Sequence, residues 1–107
     1  MNLEITLLRL LRKRDKYEKL HRALPKPALD ERTRILLDDY GKFFREFDEA
    51  QEIEADSFFL WFKSFAHPKL SSDSLEVYRS VIGQITEDVA PELEAGLLDR
   101  LVATSTA

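Results

Sequence analysis

Few residues of this chain are equipped for chemistry. Cysteine is absent, which excludes a thiol nucleophile, a disulfide framework and a thiolate metal site. Only two histidines occur, His21 and His67, and neither stands at metal-ligand spacing from other candidate ligands. His67 precedes Pro68 at the end of an apolar stretch and reads as a capping or turn residue; His21 lies among cations and reads as solvated. The acidic pairs Asp38/Asp39 and Glu87/Asp88 are neighbours in sequence. Adjacent acids on a helix usually face water, whereas a catalytic carboxylate pair needs a pocket that drives the two pKa values apart. Gly41, Gly83 and Gly96 are too far apart for a phosphate-cradling loop, and neither a Gly-x-Ser-x-Gly elbow nor a His-Glu-x-x-His helix is present. The expectation is a chain that is not an enzyme, with no catalytic residue, no cofactor and no metal.

The elements that would position side chains are helical. The 107 residues suit one small domain, 33 of them are Leu, Ile, Val or Phe, and no run of alternating β-branched residues occurs. Leu3, Ile5, Leu7, Leu8, Leu10 and Leu11 form a wide apolar face, interrupted by the charge block from Arg12 to Lys16. Asp15-Lys16-Tyr17-Glu18 fits a capping box, so a second helix burying Tyr17, Leu20 and Leu24 could start there. One bent helix is the alternative, and Pro25 and Pro27 end either. A further helix is expected from Asp30, its N-cap, to about Phe47, with Leu36, Tyr40, Phe43 and Phe47 in its stripe. Gly41 weakens that helix by about 1 kcal/mol relative to Ala, and would permit a close crossing.

Asp48 to Glu54 reads as a surface loop. Asp56 then caps a short helix with Phe58, Trp61, Phe62 and Phe65 on one side, ended by His67-Pro68. All seven phenylalanines and the single tryptophan fall between Phe43 and Phe65, which predicts an aromatic core where two helices cross. Phe59 and Leu60 lie off that face, so the helix is either central or docked onto another chain. Ser71, Ser72 and Asp73 are successive candidate caps, with Asp73-Ser74-Leu75-Glu76 as a second capping box. Leu75, Tyr78, Ile82, Ile85 and Val89 then repeat as an a/d seam. Pro91 opens a last helix with Leu93, Leu97, Leu98, Leu101 and Val102 on its apolar side. The short link predicts an antiparallel hairpin. The expected fold is all-α, a helical globule of about five or six helices over 1–71 and a helical hairpin over 72–103, with 104–107 a tail or linker start.

Charge is unevenly spread. The net charge of −4 divides into +5 over residues 1–27 and −9 over residues 28–107. The basic residues Arg9, Arg12, Lys13, Arg14 and Lys16 either match the acidic remainder within the chain, lie solvated, or contact a nucleic acid or partner. An isoelectric point near 5.2 disfavours a dedicated nucleic-acid binder. No apolar run reaches the roughly 20 residues that span a bilayer, and Met1-Asn2-Leu3-Glu4 does not open a signal peptide, so the expected compartment is the cytoplasm. A domain this small has little room to bury every apolar stripe, and self-association of the hairpin would relieve the shortage as well as packing within the chain would.

Lys19-Leu20-His21-Arg22-Ala23-Leu24-Pro25, the Leu36-to-Phe47 helix, the stretch Trp61-Phe62-Lys63-Ser64-Phe65-Ala66-His67-Pro68-Lys69-Leu70 and the closing helices resemble the N-terminal domain of phage replicative DNA helicases of the DnaB type. The Glu-Ala-Glu-x-x-Val/Leu-Leu-Gly pattern of typical bacterial members is missing, so the resemblance is to the phage branch. It implies a non-catalytic domain that pairs with copies of itself as a homo-oligomer, receives a primase or helicase loader, touches neither membrane nor, by itself, nucleic acid, and works in the host cytoplasm beside an ATPase domain. Placed on that hairpin, the pairing surface would be Leu75, Tyr78, Ile82, Ile85, Val89, Leu93, Leu97 and Leu101. The alternative is a small phage nucleic-acid-binding or replication-regulating protein acting through the basic N-terminal face.

Overall fold

The first helix, α1 (Leu3–Leu11), ends where the chain turns polar at Arg12. Lys13 is extended there (φ −88°, ψ 131°) and pairs in antiparallel fashion with Glu52. Two backbone hydrogen bonds close the pairing, from Arg14 N–H to the Gln51 carbonyl at 2.8 Å and from Ile53 N–H to the Arg12 carbonyl at 2.6 Å. Helix α2 (Arg14–Leu20) follows, so the break expected in the charge block is real. Its N-cap is Lys13 and not Asp15, because the bridge to Glu52, rather than a capping side chain, bends the backbone. The computed structural model describes residues 3–24 and 26–106, with the side chains of 26, 98 and 100–106 outside the described set.

Short 3-10 helices at His21–Ala23 and Lys26–Ala28 lead to α3 (Glu31–Glu46). Asp30 caps α3 as expected, accepting from Arg32 N–H at 3.3 Å, and its own N–H donates to Glu4 Oε1 of α1 at 2.7 Å. Helix α4 (Ala55–Trp61) runs directly into a π-helical turn, Phe62–Ala66. Glu54, not Asp56, occupies the N-cap of α4 and makes no side-chain cap bond. Ser71 caps α5 (Ser72–Gly83) by accepting from Ser74 N–H at 3.2 Å, which displaces the capping box expected at Asp73. Helix α6 (Pro91–Thr106) continues through 104–106, where a linker was expected.

Six α-helices and no strand beyond the isolated bridge make up the described residues, an all-α fold. The core is built from Leu7, Leu8 and Leu11 of α1, Leu36, Leu37, Tyr40, Phe43 and Phe44 of α3, Phe58, Trp61 and Phe62 around α4, and Tyr78, Ile82 and Ile85 around α5. Aromatic rings meet edge to face within it, Tyr40 with Phe58 at 5.4 Å and Phe43 with Trp61 at 5.6 Å between centroids. The Tyr40 hydroxyl, fully buried, donates to the Leu8 carbonyl at 3.0 Å, and burial pushes its pKa far above the ordinary phenol value.

The last two helices each have their main neighbour elsewhere in the chain. Helix α5 packs on α4, whereas α6 packs chiefly on the 3-10 helix His21–Ala23. An ion pair between Lys16 of α2 and Glu94 of α6 anchors that contact. The radius of gyration, 13.6 Å, is close to the ~13 Å of a compact domain of this length.

Gly41 sits where α2 crosses α3. A Cβ there would meet the Tyr17 ring, 3.2 Å from Cζ and closer still to the hydroxyl. The ring is held by stacking on His21 (4.6 Å, 1° between planes) and by Phe44 at 5.6 Å, so it has little room to swing away. Gly41→Ala is therefore expected to lower stability by about 1–2 kcal/mol in urea unfolding despite its better helix propensity. In a Tyr17→Leu background the same substitution is expected to stabilise.

Candidate functional site

The five basic residues proposed as a contact surface are mostly turned to the chain itself. Arg9 donates through Nε to the Gln84 carbonyl at 2.8 Å and pairs with Glu87 at 2.9 Å. Arg12 is buried at 6% exposure; its guanidinium donates to the carbonyls of Arg9 (2.9 Å) and Glu87 (3.0 Å) and to the Asp88 carboxylate (2.6 Å), with Glu52 at 3.5 Å. Its hydrogen bond holds the Asp88 carboxyl below the usual carboxylate range. Arg14 donates to the carbonyls of Phe44 and Phe47 at 2.8 Å each and of Ala50 at 2.6 Å. It thereby serves the carbonyls that the end of α3 leaves without helical partners, and it lies over the Phe44 ring at 4.7 Å. With Lys16 on Glu94, only Lys13 of the five is both exposed and free of an ion pair among the described residues. A cleft of about 370 Å³ is lined by the cations Arg9, Arg12, Lys13 and Lys16 and by the carboxylates Asp88 and Glu94, which offset only part of its positive charge.

The apolar seam is divided. Tyr78, Ile82 and Ile85 are buried in the chain's own core at 6%, 2% and 0% exposure, which removes them as a pairing surface. They are consumed because α5 lies on α4, with Tyr78 against the Phe62 ring at 4.9 Å. Leu75, Val89 and Leu97 are half-buried, Leu93 is exposed, and the Leu101 side chain lies outside the described residues.

What reaches solvent instead is an edge of α4. Phe58, Trp61 and Phe62 are buried, but Phe65 is 74% exposed and Leu60 58% exposed. An α-helical continuation would carry Phe65 to the core, as its spacing from Phe58 and Phe62 predicts. The His67 N–H donates to the Phe62 carbonyl, an i→i+5 bond of 2.8 Å, and the widened turn brings Ala66 against the core in place of Phe65. Leaving a phenylalanine in water forgoes about 2 kcal/mol of burial.

His67 ends the π turn and its Nε2–H donates to Asp39 Oδ2 at 2.7 Å. Asp39, expected to face water beside Asp38, has only 1% of its surface exposed. Its position three residues after Leu36 and four before Phe43 places it in the buried stripe of α3, a signal present in the sequence. Burial raises its pKa, and the His67 hydrogen bond and charge oppose that rise. His21 is likewise half-buried rather than solvated, donating through Nδ1–H to the Tyr17 carbonyl at 2.7 Å. Among the described residues no group of three or more His, Asp or Glu could hold a metal ion, and no helix is long and apolar enough to cross a membrane.

Asp39 gives a pH-dependent expectation. Its folded pKa lies above the unfolded value of 3.8, so the stability it contributes is complete below that value and is lost as pH rises through the folded pKa. Asp39→Asn keeps an acceptor for His67 and carries no charge, so its stability relative to the wild type should improve as pH rises through that window. Asp39→Ala, which strands the ring nitrogen, should be the less stable variant at neutral pH. Arg14→Gln should cost about 2–3 kcal/mol, and because carbonyls are its main acceptors, the loss measured by thermal unfolding should persist in high salt.

Comparison with protein-family models, with curated proteins and with solved structures finds no match to this chain.

Proposed function

We propose that this chain is a non-catalytic protein-docking domain that pairs with copies of itself. The resemblance to phage replicative helicases of the DnaB type supplies the setting: an N-terminal domain that pairs with its neighbours and receives a primase or helicase loader. The observation that carries the docking reading is the π turn that holds Phe65, with Leu60 beside it, in water. Such a turn is a costly departure from the α-helix and recurs at functional positions. The pairing surface is therefore assigned to the Leu60–Phe65 edge, with Tyr78, Ile82 and Ile85 left to the core. The alternative, a nucleic-acid surface on the basic N-terminal face, is weakened because Arg9, Arg12, Arg14 and Lys16 are engaged within the chain, which leaves it Lys13, Lys19 and Arg22.

Sedimentation equilibrium across a wide concentration range tests the proposal. The wild-type chain is expected to form dimers or larger species. Leu60→Ser/Phe65→Ser should weaken the association by about tenfold or more while leaving the circular dichroism spectrum and melting temperature unchanged, because both side chains are exposed. A wild-type chain that stays monomeric throughout, or a double variant that associates as well as the wild type, would overturn it.

A further inference from the structure

Between the C-terminal end of α3 and the start of α4 lies an open groove of about 680 Å³. Its floor is apolar, formed by Phe43, Phe47 and Ile53, and the Phe47 ring stands 43% exposed within it. Its rim is acidic, with Glu52 and Glu54 on the groove itself. The surrounding segment deepens that charge: from Glu46 to Asp56 the chain carries six carboxylates and no Lys or Arg. Glu46 is occupied by the Trp61 indole N–H at 2.5 Å, and Glu52 faces Arg12 at 3.5 Å. Asp48, Glu49, Glu54 and Asp56 are exposed and have no ion pair among the described residues. Arg12 is the one cation of the lining; its guanidinium serves two carbonyls, Asp88 and Glu52, so of the rim it pairs with Glu52 and leaves Glu54 without a cation among the described residues.

We infer that this groove receives a cationic amphipathic segment of a partner protein. Large apolar side chains of the segment would rest on Phe43 and Phe47, and its Lys or Arg residues would meet the carboxylates of the rim. The volume suits one or two such side chains in the helix-in-groove mode of recognition. An acidic rim around an apolar floor repels an acidic or phosphorylated partner and steers a basic one. This inference concerns a surface apart from Leu60 and Phe65, and it stands or falls independently of the self-association proposed above.

The test is a fluorescence-anisotropy titration of the full chain against two labelled model peptides. Both carry leucines at i, i+3, i+4 and i+7; one has lysine and the other glutamate at the remaining positions. The lysine peptide is expected to bind, with affinity falling as salt rises from about 50 to about 500 mM, and the glutamate peptide is expected not to bind. Phe47→Ser and Glu49→Lys/Glu54→Lys should each weaken the lysine peptide by about tenfold, whereas Leu60→Ser/Phe65→Ser should leave it unchanged. Amide shifts of the wild-type chain on titration should centre on Phe47, Ala50 and Ser57, a readout that needs no variant. Equal binding of both peptides, binding that ignores Phe47→Ser and the charge reversals, or shifts centred elsewhere would overturn the inference. So would a self-association, competed by neither peptide, that Phe47→Ser abolishes, since that would give the groove to a second copy.

Discussion

At Arg12 the backbone leaves α1, makes two hydrogen bonds with the 51–53 segment and enters α2, while three arginine side chains reach outward from this interruption. Arg9 and Arg12 grip the segment after α5, and Arg14 grips the end of α3 and the loop beyond it. A buried guanidinium is costly unless its donors are matched. Here the match is supplied largely by backbone carbonyls of loops that no regular secondary structure would satisfy. Two unfavourable features, an almost fully buried cation and irregular backbone, offset one another. The paths from α3 to α4 and from α5 to α6 both depend on this exchange.

The same exchange determines what the surface looks like. Arg9, Arg12, Arg14 and Lys16 of the basic N-terminal segment are drawn onto carbonyls, Glu18, Glu52, Glu87, Asp88 and Glu94, whereas Lys13, Lys19 and Arg22 stay exposed. Among the described residues the carboxylates between Glu46 and Asp56 receive one ion pair from that segment, Arg12 on Glu52. An acidic strip is therefore left beside the apolar groove, and the chain's outward electrostatic character is set by the acids that the arginines do not reach.

Helix α3 is the element around which the others are sized. Along one stripe it carries Leu36 and Phe43 for the core and Asp39 for His67, with Tyr40 bonded to the α1 backbone and Gly41 making room for Tyr17. The Asp39–His67 hydrogen bond ties that stripe to the residue that caps the π turn. The turn's register and the outward position of Phe65 are thus coupled to a polar contact inside the domain. A buried carboxylate whose charge is penalised by desolvation is kept there by a partner that also ends the neighbouring helix.

Periodicity and composition alone left open whether α1 and α2 are two helices or one bent one, but they determined that the chain is all-α, that Asp30 caps α3 and that aromatic residues of the 43–62 stretch build the core. These are local properties: spacing decides which face is apolar, and a cap or a break acts within one turn. The tertiary structure decided the rest. Whether Arg12 is a surface cation or a buried clasp depends on the Glu87 carbonyl, 75 residues away in the chain, and on the Asp88 carboxylate beside it, and no spacing rule reports such a distance. Phe65 sits in phase with Phe58 and Phe62 in sequence, yet the π turn over Phe62–Ala66 turns it to solvent. The a/d pattern of Tyr78, Ile82 and Ile85 states that these residues must be covered, and only the packing of α5 on α4 says that the cover is the chain's own core. Apolar area drives burial without specifying a partner, because the hydrophobic effect has no direction; the choice belongs to the geometry of the assembled helices.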